Sequence, residues 1–281
     1  MSEEERGRIG NPPETYGSYA CPTCKRELEL KDGGLRCRVC AVTYPILDLI
    51  PDFIVEDLTE SDNQSLRVIG KMDSSVRLDF AARTYEAWVY PGVCNLFGGW
   101  RSTSLKELAR EISDILGSSD GAILDAACGP VTYGRRVASK SRTVYGVDAC
   151  MSMLRRGVRY VERDRIPNVH FARAKVEALP FRTGMFDAAI CAGSLNHFAD
   201  TLLALCEIGR TMKTRAPLAV MCFAVGTKGL FKYRRIREYS ERGGGHIFEL
   251  SQLDQYVAEA GFEDFHPHAH GSILVFSARK K

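Results

Sequence analysis

Ala122-Ile-Leu-Asp-Ala-Ala-Cys-Gly-Pro130 governs how the rest of the chain reads. Ala122 to Ala127 is a short apolar run that carries one carboxylate, Asp125, and breaks at Cys128-Gly-Pro130 before a stretch with helical spacing from Thr132 to Lys140. Apolar runs of that length, bounded by Gly and Pro, are buried strands. Thr143-Val-Tyr-Gly-Val-Asp148 gives a second strand, which ends on Asp148, 23 residues after Asp125, and leads into a second helix from Met151 to Arg163. A carboxylate at that strand end can accept both hydroxyls of a ribose, because it lies beside the first turn. This arrangement alone fits a nicotinamide cofactor as well.

Working outward, Val169-His-Phe-Ala172 and Phe186-Asp-Ala-Ala-Ile-Cys191 continue the sheet. A helix from about Ala199 to Lys213 leads into Leu218-Ala-Val-Met-Cys-Phe223. Ser251 to Ala260 has helical spacing and stops at Gly261, and Ser272-Ile-Leu-Val-Phe-Ser277 is a last buried strand. Strands alternating with helices predict an α/β, Rossmann-like domain with a mostly parallel sheet and helices on both faces. Ligands then sit at the carboxyl ends of the strands, where the strand order reverses.

The words around the acids narrow the cofactor. Ile123-Leu-Asp-Ala-Ala-Cys-Gly129, Val147-Asp-Ala-Cys-Met-Ser-Met-Leu154, Glu177-Ala-Leu-Pro-Phe181 and Phe186-Asp-Ala-Ala-Ile190 occur in order. They resemble the consecutive motifs of class I S-adenosylmethionine-dependent methyltransferases, most closely the branch with the quinone-biosynthesis C-methyltransferases. The resemblance runs over about residues 78–281. It implies that Asp125, Ala127 and Gly129 face the methionine part of the cofactor, that Asp148 holds the ribose, and that Met153 packs on the adenine. For Met153 a plain core position on the second helix is the competing reading. Tyr85 would cover the cofactor from above, or be a core residue of its helix. Gly193-Ser-Leu-Asn-His197 would line the methyl-transfer site.

The chain also departs from that family. Where Asp-x-Gly-x-Gly-x-Gly is usual, it reads Asp125-Ala-Ala127-Cys-Gly129-Pro-Val131. Ala127 adds one methyl group to a tight turn. Val131 is the larger change, because a β-branched side chain resists positive φ and would fill space where the backbone approaches a ligand. Lys175 replaces the usual Asp beneath the adenine amino group, and lysine only donates; Glu177 can take over that contact. Arg215-Ala-Pro217 replaces a usual Gly-Gly. The sulfonium is already activated, so methyl transfer asks mainly for alignment and exclusion of water. Where the acceptor carries a proton, His197 is the candidate base; otherwise it is a helix-start histidine bonded to backbone. His246, after Arg242-Gly-Gly-Gly, can close over the substrate from its loop.

The amino-terminal region carries different chemistry. Cys21-Pro-Thr-Cys24 is followed, after twelve residues, by Cys37-Arg-Val-Cys40, with Lys31-Asp-Gly-Gly34 between them. Two such knuckles offer four thiolates to one tetrahedral zinc, a structural site because protein fills every position. Val42 to Ile54 covers it and resembles the zinc ribbon found beside some methyltransferases. The expected organisation is a flexible tail (1–17), a zinc ribbon (18–55), an acidic linker (56–77) and a methyltransferase-like domain (78–281), with a separate core in each folded unit. Cys94, Cys128, Cys150, Cys191, Cys206 and Cys222 lack framework spacing and read as small buried hydrophobes in a reducing cytosol. The N-terminus has no apolar signal core, and no apolar run approaches the ~20 residues that span a bilayer; a cytoplasmic protein is expected. A net charge of +3 does not demand nucleic acid.

Two further features bear on partners. His266-Pro-His268-Ala-His270 would put three imidazoles on one face if extended, but with no carboxylate or cysteine recognised as their partner they read as a solvent-facing edge. Arg155, Arg156, Arg159, Arg163 and Arg165 form a solvated helix face. Lys232-Tyr-Arg-Arg-Ile-Arg237, beside Phe231, suits phosphate, an acidic headgroup or stacked bases. The first reading of the acceptor is a small or lipidic molecule. The second is RNA held through a ribbon bearing Lys25, Arg26, Lys31, Arg36 and Arg38, as in ribosomal RNA guanine methyltransferases. The third is a cofactor-weak scaffold that engages a protein partner through the ribbon.

Overall fold

The computed structural model of the chain describes residues 13–54, 104–117, 120–138, 142–225, 246–271 and 273–281. A 3-10 helix at Pro13–Ser18 precedes β1 (Glu29–Lys31), β2 (Gly34–Cys37), β3 (Val42–Leu47) and β4 (Ile50–Pro51). Then come α1 (Leu105–Leu116), β5 (Gly121–Ala126), α2 (Gly134–Val137), β6 (Arg142–Asp148), α3 (Met151–Asp164), β7 (Val169–Arg173), β8 (Ala188–Ala192), α4 (Thr201–Thr211), β9 (Pro217–Val225), β10 (Phe248–Glu249), α5 (Leu250–Glu259), β11 (Phe262–His270) and β12 (Ile273–Lys280). Helix α1 starts on a capping box: the Ser104 hydroxyl accepts from the Glu107 amide, and the Glu107 carboxylate accepts from that of Ser104.

The first four strands make a small antiparallel sheet. The other eight make one sheet in the order β11-β12-β9-β8-β5-β6-β7, with β10 paired to the end of β9. β5, β6, β7, β8 and β9 run parallel, and the β11–β12 hairpin closes one edge antiparallel. Strand order reverses at β5, which has β6 on one side and β8 on the other, so a crevice opens at its carboxyl end. Alternate residues of β5 feed two cores. Leu124 and Ala126 pack with Ala204, Leu205 and Ile208 of α4, whereas Ile123 packs with Leu108 and Ile112 of α1 and Leu154 of α3. Burial on both faces is why these strands are apolar throughout rather than alternating.

Two local results differ from the sequence expectation, and one agrees with it. The helix expected over 132–140 is only Gly134–Val137, because the chain first spends residues 127, 129 and 131 on left-handed turns. Residues 262–270 form an edge strand, in agreement with the solvent-facing edge read from the alternate histidines. The tail boundary drawn at residue 17 falls inside the 3-10 helix, where Thr15 and Tyr16 are buried.

The ribbon region does not keep a core of its own. Tyr16, Tyr19, Tyr44 and Phe53 belong to the same apolar cluster as Tyr145, Phe181 and Phe186. The Tyr19 ring lies 5.5 Å from Phe181 and 5.6 Å from Phe53, and its hydroxyl donates to the Phe171 carbonyl at 3.0 Å. Backbone continues the join: the Ala20 amide donates to Pro180 O and the Phe53 amide to Arg173 O. Around this seam Arg173 pairs with Asp52 at 2.9 Å, Lys25 with Glu207 at 2.9 Å and Arg155 with Asp48 at 2.9 Å. The small sheet thereby covers β7, an edge strand of the large one that would otherwise present unpaired backbone.

Candidate functional site

The crevice beyond β5 is built around two acids. Asp148, half-buried at the end of β6, accepts from the Gly129 amide through Oδ2 at 2.8 Å and from the Cys150 amide through Oδ1 at 2.8 Å. It therefore ties the turn after β5 to the start of α3, and its carboxylate has the acceptor capacity for a further donor. Burial pushes its pKa up, against the backbone donors and Arg173. Asp125 is buried beneath the same turn and accepts from the Gly134 amide at 3.0 Å. A Cβ built on Gly129 would meet nothing within 4 Å, so the turn faces open space there. Sequence reading thus brought together Asp125, Ala127, Gly129 and Asp148.

Gly134 went unnoticed in the sequence. A Cβ at that position would lie 2.6 Å from Asp125 Oδ2 and 2.8 Å from a Val131 methyl carbon, so the first residue of α2 has to be glycine for its amide to reach the acid. A glycine nine residues beyond Asp125 was the available signal, but the need for it is tertiary.

The departures from the glycine pattern have a backbone cost. Ala127 has φ 53° and Val131 has φ 53°, in the left-handed region that disfavours a Cβ and β-branched residues most. Val131 does not fill ligand space, as the sequence suggested. Its side chain is wholly buried in the core containing Val144 and Leu154. Ala127→Gly is therefore expected to raise stability by up to about 1 kcal/mol, strain relief of ~1–2 kcal/mol set against glycine's entropy. Val131→Gly is expected to lower it by about 1–2 kcal/mol, because the lost burial outweighs that relief. Urea midpoints of the two variants would test this pair, and a stabilising Val131→Gly would contradict it.

Burial, opposed by the Gly134 hydrogen bond and reinforced by the charge of Asp148, raises the Asp125 pKa from 3.8 to about 7. Between those values the folded protein keeps a proton that the unfolded chain has lost, so this group's contribution to stability is full at acid pH and fades as pH rises to about 7. A shift of that size corresponds to a few kcal/mol, about 1.4 per pH unit. Asp125→Asn, which still offers an acceptor to Gly134, should flatten the fall in stability seen in wild type between pH 4.5 and about 7. Parallel stability curves for the two proteins over that range would count against it.

The loop after β8 is held more tightly than expected. Asn196 is buried; its amide nitrogen donates to Phe223 O at 2.7 Å and to His246 O at 2.6 Å, and its Oδ1 accepts from the Phe223 amide. The His246 amide returns a bond to the Asn196 carbonyl. The Ser194 hydroxyl donates to Ala127 O at 3.2 Å, which joins this loop to the acid-bearing turn. His246 is fixed at its backbone, beside His197. His197 is exposed, and its pKa is lowered, first by the protein around it and then by His246. Met153 is buried yet belongs to neither core, whereas its neighbours Met151 and Leu154 do. Glu177 and Lys175 are half-buried in and before a 3-10 turn, Val176–Ala178. Tyr85, the 56–77 linker and Lys232 to Arg237 lie outside the described residues.

The four amino-terminal cysteines converge. Cys21 Sγ is 3.8 Å from Cys40 Sγ and Cys24 Sγ is 3.5 Å from Cys37 Sγ, with all four sulfurs within 4.8 Å of one another. A tetrahedron of 2.3 Å bonds places its ligands about 3.8 Å apart, so the donor set fits zinc. Lys25 (φ 60°) and Ala41 (φ 56°) follow the two knuckles in left-handed turns, and the Tyr44 hydroxyl sits 3.3 Å from Cys21 Sγ. Among the later cysteines, Cys128, Cys150, Cys191 and Cys222 are buried, Cys206 is half-buried, and none of them is in a disulfide.

Residues 123–215 match a family profile described as a methyltransferase domain. An uncharacterized chloroplastic methyltransferase of Arabidopsis thaliana is 22% identical over 93% of this chain and 78% of its own length. A ubiquinone/menaquinone biosynthesis C-methyltransferase of Citrifermentans bemidjiense is 25% identical over 47% of this chain and 55% of its own. The solved structure of Haemonchus contortus phosphoethanolamine N-methyltransferase 2, in complex with S-adenosyl-L-methionine, has the same fold at a TM-score of 0.61 and 18% identity, over 76% of this chain and 60% of that one. The chain thus spans less than two thirds of the last two proteins.

Proposed function

We propose that the chain is a class I S-adenosylmethionine-dependent methyltransferase and that it transfers a methyl group from S-adenosylmethionine to a small or lipidic acceptor. One observation carries the reading: the β6-end carboxylate of Asp148 is fastened to the Gly129 turn beside open space, within the stretch that matches the family. In this reading Asp148 accepts the ribose hydroxyls, Met153 lies along the adenine, Glu177 takes the adenine amino group, and Asp125, Ala127 and Gly129 hold the methionine end. The cofactor brings an activated methyl on a sulfonium. What the chain adds is position and a dry site. His197, whose pKa is lowered by the protein around it and by His246, can take a proton from a phenol or acidic carbon, and Asn196 keeps it beside His246. Tyr85 would close the site from the pre-domain segment.

We read the four-cysteine cluster as a structural zinc site that holds the ribbon against the catalytic domain, in a reducing, cytoplasmic setting. No helix among the described residues is long and apolar enough to cross a membrane. The pairing of Lys25 with Glu207 and of Arg38 with Glu29 uses up part of the ribbon's basic charge, which favours a small acceptor over RNA. The test is calorimetry with S-adenosylmethionine and its demethylated product, followed by titration with bulk RNA across a salt series. One cofactor site, with no RNA binding at low salt, is the expected result. Salt-sensitive RNA binding would replace the small acceptor with RNA, and failure of both cofactor ligands at millimolar concentration would leave a scaffold.

A further inference from the structure

We propose a second metal site, distinct from the four cysteines, in which Glu111 of α1 with His268 and His270 of β11 hold one divalent transition-metal ion. The sequence offers three alternate histidines with Glu263 and Asp264 just ahead of them, but marks no carboxylate as a partner of His268 or His270. The fold supplies one from 157 residues away: Glu111 Oε1 lies 2.6 Å from His268 Nδ1, and Oε2 lies 2.7 Å from His270 Nε2. The two imidazole centroids are 4.4 Å apart, and one donor atom from each of the three residues falls within 4.8 Å of the others. His266 shares their strand face but pairs across the hairpin with Ser277 and lines a different hollow, with Asp264 and Arg279.

Without metal the carboxylate accepts a proton-bearing ring nitrogen from each histidine, so the cluster is satisfied as it stands. An ion bound at about 2.0–2.2 Å would need these donors about 3.0–3.5 Å apart. Each carboxylate–imidazole pair has to open by less than about 1 Å, which His268, 67% exposed, has room to allow. For the ion to bind, each ligating ring nitrogen has to give up its proton, which the other ring nitrogen can carry. Two imidazoles and one carboxylate suit Zn²⁺, Co²⁺ or Ni²⁺ and are too nitrogen-rich for Mg²⁺ or Ca²⁺. Three protein donors leave at least one coordination position to water or another ligand.

Placement gives the ion a consequence. β11 is the outer strand of the sheet, opposite the edge that the ribbon covers. His270 pairs with Ile273, which pairs with Phe223 at the carboxyl end of β9, so the cluster stands at the same end of the sheet as Asp125 and Asp148. Ligation would pin α1 to that edge, a cross-link between segments far apart in sequence.

The test uses the full chain with its cysteine site zinc-loaded, and titrates Ni²⁺ by calorimetry alongside elemental analysis. Wild type is expected to take up one further equivalent and to melt at a higher temperature when it does. Glu111→Gln keeps an acceptor but loses the charge, and His268→Ala changes an exposed side chain. Each should weaken the extra equivalent at least tenfold, leave zinc content unchanged, and abolish the metal-dependent rise in melting temperature. Absence of a further equivalent, or uptake that both variants leave intact, would overturn the site; so would uptake only at millimolar Ni²⁺, which is adventitious binding.

Discussion

Asp148→Ala is expected to weaken binding of S-adenosylmethionine by more than about a hundredfold, since two hydroxyl bonds to a carboxylate at ~1.5–3 kcal/mol each are lost together. The effect has two physical parts. The ribose loses its acceptor, and the Gly129 amide loses the partner that fixes the turn over which the cofactor would lie. Asp148→Asn separates them. Its single carbonyl can serve either the Cys150 or the Gly129 amide, while its NH₂ repels the other donor, so it should bind only slightly better than alanine. Calorimetry with the demethylated cofactor, beside a melting curve to show that the fold persists, measures both. Affinity within threefold of wild type in a folded Asp148→Ala protein would remove this residue from the cofactor site and with it the main support for the proposed function.

How far the sequence carried the reading depends on the range of the contacts involved. Asp125, Gly129 and Asp148 were legible because strand ends and the turns after them are local patterns, and the topology alone sets two adjacent strand ends side by side. The cysteine quartet was legible for the same reason, each knuckle being one turn. What escaped were demands made across the fold. Gly134 has to be glycine because of Asp125, Val131 and Val144, none of which marks it in the sequence. Asn196 read as part of a substrate-lining loop, yet its side chain is fully spent on Phe223 and His246. Val131 breaks a local rule, and only its burial explains what the side chain gains in return. Glu111 has no sequence signal linking it to His268.

The same long-range logic changes what loss of zinc should do. Two units with separate cores would let Cys37→Ser unfold the ribbon and spare the rest. Here the ribbon's Tyr19 and Phe53 are part of the core that holds Tyr145, Phe181 and Phe186, and its Asp52 closes the β7 edge through Arg173. Zinc in small domains contributes about 10–16 kcal/mol, more than so small a sheet could replace from its own apolar contacts. Cys37→Ser should therefore lower bound zinc by one equivalent and also destabilise the catalytic domain. Uncovering several large aromatics at ~1.5–3 kcal/mol each is enough to take away much of a normal stability margin. The readouts are zinc by elemental analysis, binding of a hydrophobic dye, and the melting temperature of the large domain followed by tertiary circular dichroism. Tyr19→Ala serves as the companion variant: it should keep the zinc, because all four thiolates remain, and still lose about 3–5 kcal/mol through the cavity it leaves under Phe181. If Cys37→Ser loses its zinc while the large domain melts as in wild type, the ribbon is an appendage and the shared core contributes little. If zinc content does not change, the four cysteines do not hold it.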